Sequence, residues 1–252
     1  MNPSLKESIS VGNKIQKNFS PELQAFGKNI WIVDGPNVRD MFITFTTRMT
    51  IVKLVDGSLW VNSPVPVQFD LLKQITALGT LKYLLAATPR HVWRLDGWHT
   101  LFPEAQLWAP QKSPFTLKKG HLSFSGILGD EPFDGWANDF DQLVFKGNPL
   151  ISEVFFYHRA SNTVIVDDLI QIHQIIKGRP YLNALIKLEG VASPYGGVGL
   201  DLRLSFTNRN KARQSLKKLL SWDFDKLIIA HGICIEKDAK SFVEKAFYWL
   251  SH

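Results

Sequence analysis

Residues 84–98 read Leu84-Leu85-Ala86-Ala87-Thr88-Pro89-Arg90-His91-Val92-Trp93-Arg94-Leu95-Asp96-Gly97-Trp98, and the fold is read outward from this stretch. The apolar run Leu84 to Ala87 is a buried strand, and Thr88-Pro89 halts it because proline cannot donate to a β ladder. A polar and aromatic loop carrying His91 comes next, followed by a short helical segment around Trp98 to Phe102. Loops at the ends of central strands are where α/β proteins keep their chemistry.

On the N-terminal side, Phe69, Leu71, Leu72, Ile75 and Leu78 recur at helical spacing over Val67 to Leu78, and Gly79 stops that helix. Before it, Asp56-Gly57 separates Ile51-Val52-Lys53-Leu54 from Leu59-Trp60-Val61, an antiparallel hairpin with a tight turn closed by Ser63-Pro64. Ile30 to Val33, Phe42 to Phe45 and Met49 to Leu54 have strand composition, and residues 1–29 read as a polar N-terminal arm. On the C-terminal side, Ala105 to Ala109 is a strand ended by Pro110. This alternation predicts an α/β fold with a mixed sheet, as a single domain over residues 30–252.

Gln111 to Asn148 is rich in Gly, Pro and Asp, with Phe115, Phe124, Phe133, Trp136 and Phe140 spread through it, and reads as an irregular covering segment with short strands. Glu153 to His158 and Thr163 to Val166 are strands joined by the Arg159 to Asn162 turn. Asp167-Asp168 then caps a helix carrying Leu169, Ile172, Ile175 and Ile176, or holds a cation. Helices are expected over Leu182 to Leu188, Ala212 to Trp222 and Asp238 to Leu250, and Leu227 to Ala230 is a buried strand delivering His231-Gly232. Gly196-Gly197-Val198-Gly199 has the wrong spacing for a dinucleotide fingerprint.

Composition narrows the classes. The net charge is +6, but Lys and Arg are scattered and the densest groups, Lys118-Lys119 and Lys217-Lys218, are short, so nucleic acid is not an expected partner. Cys234 is the only cysteine, which excludes an intrachain disulfide and a Cys-rich zinc site and fits a reducing compartment. No apolar run approaches the ~18 residues of a membrane span, and residues 1–20 lack the apolar core of a signal peptide, so a cytoplasmic protein without a membrane partner is expected. Seventeen Phe and eight Trp imply a bulky aromatic core, or a core plus an apolar pocket.

Three strand ends carry groups that bind metals or move protons: His91 after Ala87, Asp167-Asp168 after Val166, and His231 after Ala230. In an α/β sheet such ends converge on one edge. Two neutral imidazoles and a carboxylate make a three-ligand zinc site with one open position, where bound water becomes a nucleophile. The alternative is that the histidines bond loop backbone and the Asp pair caps a helix.

The order of elements resembles the metallo-β-lactamase superfamily over roughly Ile30 to Leu250. The blocks Arg48-Met49-Thr50, Leu59-Trp60-Val61-Asn62-Ser63-Pro64, Phe102-Pro103-Glu104-Ala105, Glu153-Val154-Phe155-Phe156 and Ala230-His231-Gly232 resemble an uncharacterised branch of it. The resemblance implies a four-layer αββα sandwich, two mixed sheets flanked by helices, with a dinuclear zinc or iron site at one edge. It also implies hydrolysis of esters, amides, thioesters or phosphodiesters, or redox chemistry. The superfamily motif His-x-His-x-Asp-His falls on Pro89, Arg90, His91, Val92, Trp93 and Arg94, so only its second histidine, His91, is present. The next metal histidine falls on Asn148, the bridging aspartate on Asp167 or Asp168, and the last ligand on His231.

That set is too small for a tight dinuclear centre, since zinc normally takes at least three protein ligands. Arg94, or Arg90, is expected to replace metal charge by pairing with Asp167 or Asp168. Three readings stand: a hydrolase with one weakly held zinc, iron or manganese ion on His91, Asp167 or Asp168, and His231; a metal-free binding or scaffolding protein; or a metal-free enzyme using a His/Asp pair. In the binding reading a basic, aromatic-lined pocket (His91, Trp93, Arg94, Trp98, His231) takes an anionic or aromatic small molecule.

Overall fold

The structure, a computed structural model, describes residues 21–40, 43–111 and 122–251. Residues 1–20 of the expected arm, Phe42, Phe115 and Lys118-Lys119 lie outside these. Among the described residues two sheets form. The first runs in chain order through β1 (Gln24–Gly27), β2 (Ile30–Asp40), β3 (Ile43–Lys53), β4 (Leu59–Asn62), β5 (Leu81–Leu85), β6 (Gln106–Pro110) and β7 (Gly126–Leu128). It is antiparallel from β1 to β4 and parallel from β4 to β7. The second has the order β11 (Lys226–Ile229), β10 (Thr163–Val166), β9 (Glu153–His158), β8 (Phe140–Phe145), with only the β10–β11 pair parallel.

Side-chain alternation along these strands generates three apolar layers. Trp60, Tyr83 and Leu85 of the first sheet meet Phe140, Phe156, Ile165 and Ile228 of the second between the sheets. The opposite face of the first sheet, with Met49, Ile51, Val61 and Leu84, is covered by α1 (Phe69–Leu78) and α2 (Leu95–Leu101) through Leu71, Ile75, Leu95 and Trp98. The outer face of the second sheet, with Phe145, Phe155, Val164 and Leu227, is covered by α4 (Leu200–Ser205), α5 (Arg209–Ser221) and α6 (Ala239–Ala246). A further helix, α3 (Pro180–Leu188), precedes them. The result is the αββα sandwich with two mixed sheets that the resemblance implies. Strands β4, β9 and β10 are buried along their whole length because they are covered on both faces.

Three expectations are corrected. The first sheet begins before residue 30, because Gln24 and Ala25 pair with Ile32 and Trp31, so the polar arm gives way to a strand within residues 21–29. Phe42 to Phe45 and Met49 to Leu54 are not two strands; the described part of this segment is the single β3, and the register shift in its pairing falls in β2, between Gly35 and Val38. The Asp167-Asp168 pair opens no helix. Gln171, Ile172 and His173 instead bridge to Gly197, Gly232 and Ala192, and Ile175 and Ile176 stand exposed. These backbone partners come from distant parts of the chain and override a locally helical spacing.

Buried His158, in the middle of the fold, sets an acid limit on stability. Its Nδ1 lies 2.7 Å from Ser161 Oγ, and burial lowers its pKa to about 4. Its folded pKa lies below its unfolded one, so its contribution is whole above about pH 6.5 and is lost as pH falls toward 4. We expect urea titrations at pH 7 and pH 4 to show about 3 kcal/mol more acid destabilisation in the wild type than in His158→Phe. Equal losses in both proteins would assign the acid sensitivity to other groups.

Candidate metal centre

The topology brings the predicted strand ends together. In the parallel β10–β11 pair Val166 faces Ile229, and in the parallel β4–β5 pair Asn62 faces Leu85, so the residues after all four strands emerge at one edge. Antiparallel β9 starts at that edge with Glu153, and Val154 N donates to Ala87 O (2.9 Å), tying the two sheets beside the site. After β5 the chain turns through a 3-10 helix, Pro89–Arg94, which carries His91.

At this edge His91 Nε2 lies 3.2 Å from His231 Nε2, His231 Nε2 lies 3.2 Å from Asp168 Oδ1, and His91 Nε2 lies 3.4 Å from Asp168 Oδ1. The hydrogen bonds behind these atoms settle what each one offers. His231 Nδ1 meets the carbonyl of Thr46 at 2.7 Å; a carbonyl only accepts, so Nδ1 carries the proton and Nε2 the lone pair. Ser63 Oγ gives its one proton to Asp167 Oδ2, so at 2.7 Å from His91 Nδ1 it accepts, and His91 also presents a lone pair at Nε2. Thr88 Oγ1 donates to Asp168 Oδ2 at 2.7 Å, turning Oδ1 toward the histidines. Three acceptor atoms therefore face one another in a buried place, an arrangement that repels unless a cation sits among them.

A tetrahedral ion with bonds of about 2.0–2.1 Å sets its donor atoms about 3.3 Å apart, close to the three separations here. The residues fit one ion with one open position. Among the described residues no other group of three or more His, Cys, Asp or Glu side chains is arranged to hold a metal, and Asp168 rather than Asp167 supplies the carboxylate. Asp167 stands behind His91 instead, with Oδ2 3.1 Å from Nδ1 and Oδ1 accepting from Asn62 Nδ2 at 3.0 Å. This is the carboxylate–histidine support that fixes the tautomer of a metal-ligating imidazole.

Without a metal, the two aspartates favour a proton on His91. Burial opposes charge on His91, but Asp168 and then Asp167 outweigh it and hold its pKa well above the ordinary histidine value. Burial likewise pushes Asp168 up, and His91 and His231 overcome it, so the net shift is well below the usual carboxylate range.

Residues that strand-end reasoning passed over hold this arrangement. Glu153 accepts backbone N–H from Asp167 (2.6 Å), Asp168 (3.2 Å) and Leu169 (2.7 Å), fixing the turn that presents both aspartates. Burial, then Asp168 and Asp167, raise its pKa well above the ordinary value. Ser63 adopts φ 54°, a left-handed conformation uncommon outside glycine, in the Ser63-Pro64 turn. Arg48 donates to the carbonyls of Ile229 and Gly232 on either side of His231 while its Nη2 pairs with Asp34 at 2.7 Å. Gly232 has φ 126° and lies against Ile172 O, 2.0 Å from where a Cβ would stand, so no side chain fits. An isolated carboxylate heading a buried strand, Glu153, was the one signal in the sequence that could have marked this support.

Other predicted site residues lie elsewhere. Trp98 is buried in the core under the first sheet, its Nε1 donating to Val65 O at 2.7 Å, and it does not line the cleft at the histidines. Asn148 bonds Ser205 Oγ through Nδ2 (2.7 Å) and accepts from Leu150 N and Ile151 N; it shapes a turn. Arg94 forms no ion pair with Asp167 or Asp168, whose oxygens are engaged by Asn62, Ser63, Thr88 and the histidines; its guanidinium lies 3.9 Å from the Trp93 ring centre. Arg90 and Trp93 do line a cleft of about 240 Å³ that reaches His91, Asp168 and His231. Phe45 forms part of its wall, edge-on to His231 and His173 at 5.6 and 5.4 Å.

Solved structures share this architecture at low identity. Fragment 1–254 of a protein described as diflavin flavoprotein A 5, from Nostoc sp. PCC 7120, superposes with a TM-score of 0.65 at 12% identity, covering 92% of this chain and 96% of that one. The metal-soaked Flv1 flavodiiron core from Synechocystis sp. PCC6803 gives 0.64 at 12% identity over 92% of this chain and 61% of its own. A metallo-β-lactamase from Hirschia baltica gives 0.61 at 12% identity over 92% and 98%. At these identities the likeness establishes the metallo-β-lactamase superfamily fold. No curated protein matches the chain. Residues 28–192, which include His91 and Asp168 but end before His231, match the family model described as a domain of unknown function, DUF4336, and the chain belongs to that family.

Proposed function

We propose that this protein is a hydrolase of small molecules that works with one zinc, iron or manganese ion held by His91, Asp168 and His231. The observation that carries this reading is the triangle of inward-facing acceptor atoms with edges of 3.2, 3.2 and 3.4 Å. Such an ion supplies Lewis acidity and makes a water nucleophilic near neutral pH. The chain's own residues do the rest. Asp167 and Ser63 hold His91 in the ligating tautomer, Thr46 O does so for His231, and Thr88 aims Asp168.

The cleft of about 240 Å³ is small for a ligand site, which favours a compact substrate. Trp93 and Phe45 offer it aromatic surface, which suits an aromatic molecule, and Arg90 sets one positive charge among the carboxylates of Asp168, Glu189 and Asp201. Burial and then His231 lower the His173 pKa to about 4, so this cleft residue is neutral at pH 7 and donates or accepts hydrogen bonds without adding charge.

A second reading, acid–base catalysis by His91 without a metal, draws support from the raised His91 pKa and its contacts with both aspartates. Metal loading separates the two. An ion entering the triangle competes with a proton on His91, whose pKa is raised, so affinity should climb with pH up to that pKa and binding should release protons. Calorimetric titration of zinc or manganese in buffers of different ionisation enthalpy measures that release. Metal below a tenth per chain, even after reloading, would leave only the metal-free reading.

A further inference from the structure

A second cavity also borders the histidine pair. It holds about 40 Å³ and is lined by Ser63, His91, His231, Trp93, Arg48 and Arg94 among others. At about 10–15 Å³ per water-sized position, that is room for about three such groups, the size of a carboxylate.

Two guanidinium groups border it, and they differ. Arg48 is engaged by Asp34 and by the Ile229 and Gly232 carbonyls. Arg94 is half-buried and, among the described residues, makes no ion pair or hydrogen bond; its guanidinium is stacked on Trp93. Burial lowers its pKa to about 10, so it is a cation at neutral pH with no counter-ion among the described residues. A half-buried charge with no counter-ion is costly in a structural role and useful in a binding one.

We propose that Arg94 is an anion subsite, and that the substrate carries a carboxylate or similarly small oxyanion which Arg94 binds across the stacked Trp93 while the scissile group lies at the metal triad. The role in anchoring a substrate rests on the hydrolase reading; the anion binding itself does not. A guanidinium held over an aromatic ring keeps N–H donors for bidentate contact with a planar carboxylate.

The test is an NMR titration of the full chain with acetate, inorganic phosphate and neutral acetamide, following the Trp93 indole N–H, assigned by its loss in Trp93→Phe. Metal content is measured on the same samples. Acetate, phosphate or both should give a saturable one-to-one shift, and acetamide none; which anion binds more tightly identifies the substrate's group. Arg94→Gln should weaken binding at least about tenfold with metal content unchanged, and Arg94→Lys should retain part of it. No saturable anion binding by the wild type, or equal binding by Arg94→Gln, overturns the proposal. Anion binding that depends on Arg94 in protein that takes up no metal would sustain the subsite and sink the hydrolase reading instead.

Discussion

Replacing His91 and His231 together by alanine is expected to reduce bound zinc, iron or manganese from about one ion per chain to below a tenth. Two of the three inward-facing donors disappear, and Asp168 alone cannot complete a site that requires about three protein ligands. Hydrolytic activity, if measured, should vanish with the metal. Elemental analysis of protein purified without chelator or added metal gives the answer, with circular dichroism confirming that the sandwich persists. Persistence is expected because neither histidine contributes to the three apolar layers. Asp167→Asn should be milder, about ten- to a hundred-fold in metal affinity, since Asp167 acts through His91. An undiminished ion in the double variant would place the metal elsewhere and remove the basis of the hydrolase reading.

The largest loss of stability is expected from Glu153→Ala. Glu153 is fully buried at the start of β9, and its two oxygens receive three backbone N–H groups of the Asp167-Asp168-Leu169 turn. Alanine would strand those donors where water cannot reach them, at about 1–3 kcal/mol each with partial relaxation, so we expect a loss of about 3–5 kcal/mol in urea unfolding. Gln presents a single acceptor oxygen and should recover part of it. The same change should loosen Asp168 and weaken metal binding. A loss below about 1 kcal/mol in Glu153→Ala would mean that these N–H groups find other partners.

How far the chain could be read without coordinates depended on the range of the interactions that decide each feature. Apolar periodicity is local, so the helices near Phe69–Leu78, Pro180–Leu188 and Arg209–Ser221 and the strands flanking Asp56-Gly57 were legible. So was the convergence of His91, the Asp pair and His231, because each follows an apolar strand and parallel strands end at a common edge. The helix expected after Asp168 failed because its spacing is satisfied equally by a segment paired to Gly197, Gly232 and Ala192.

By itself, then, the sequence determined the α/β class and the strand ends that carry the site, since apolar runs and their period are local, while the αββα sandwich was implied by the resemblance of its element order to a known superfamily. Only the tertiary structure decided which aspartate faces the histidines, which tautomers they adopt, and that Trp98 and Asn148 serve the scaffold while Ser63 and Glu153 support the candidate site. A side chain at a strand end can point either way, and its direction is set by hydrogen bonds across the fold. Asn62 and Ser63 hold Asp167 from about a hundred residues away, and Thr88 holds Asp168 from eighty. No local pattern encodes those pairings.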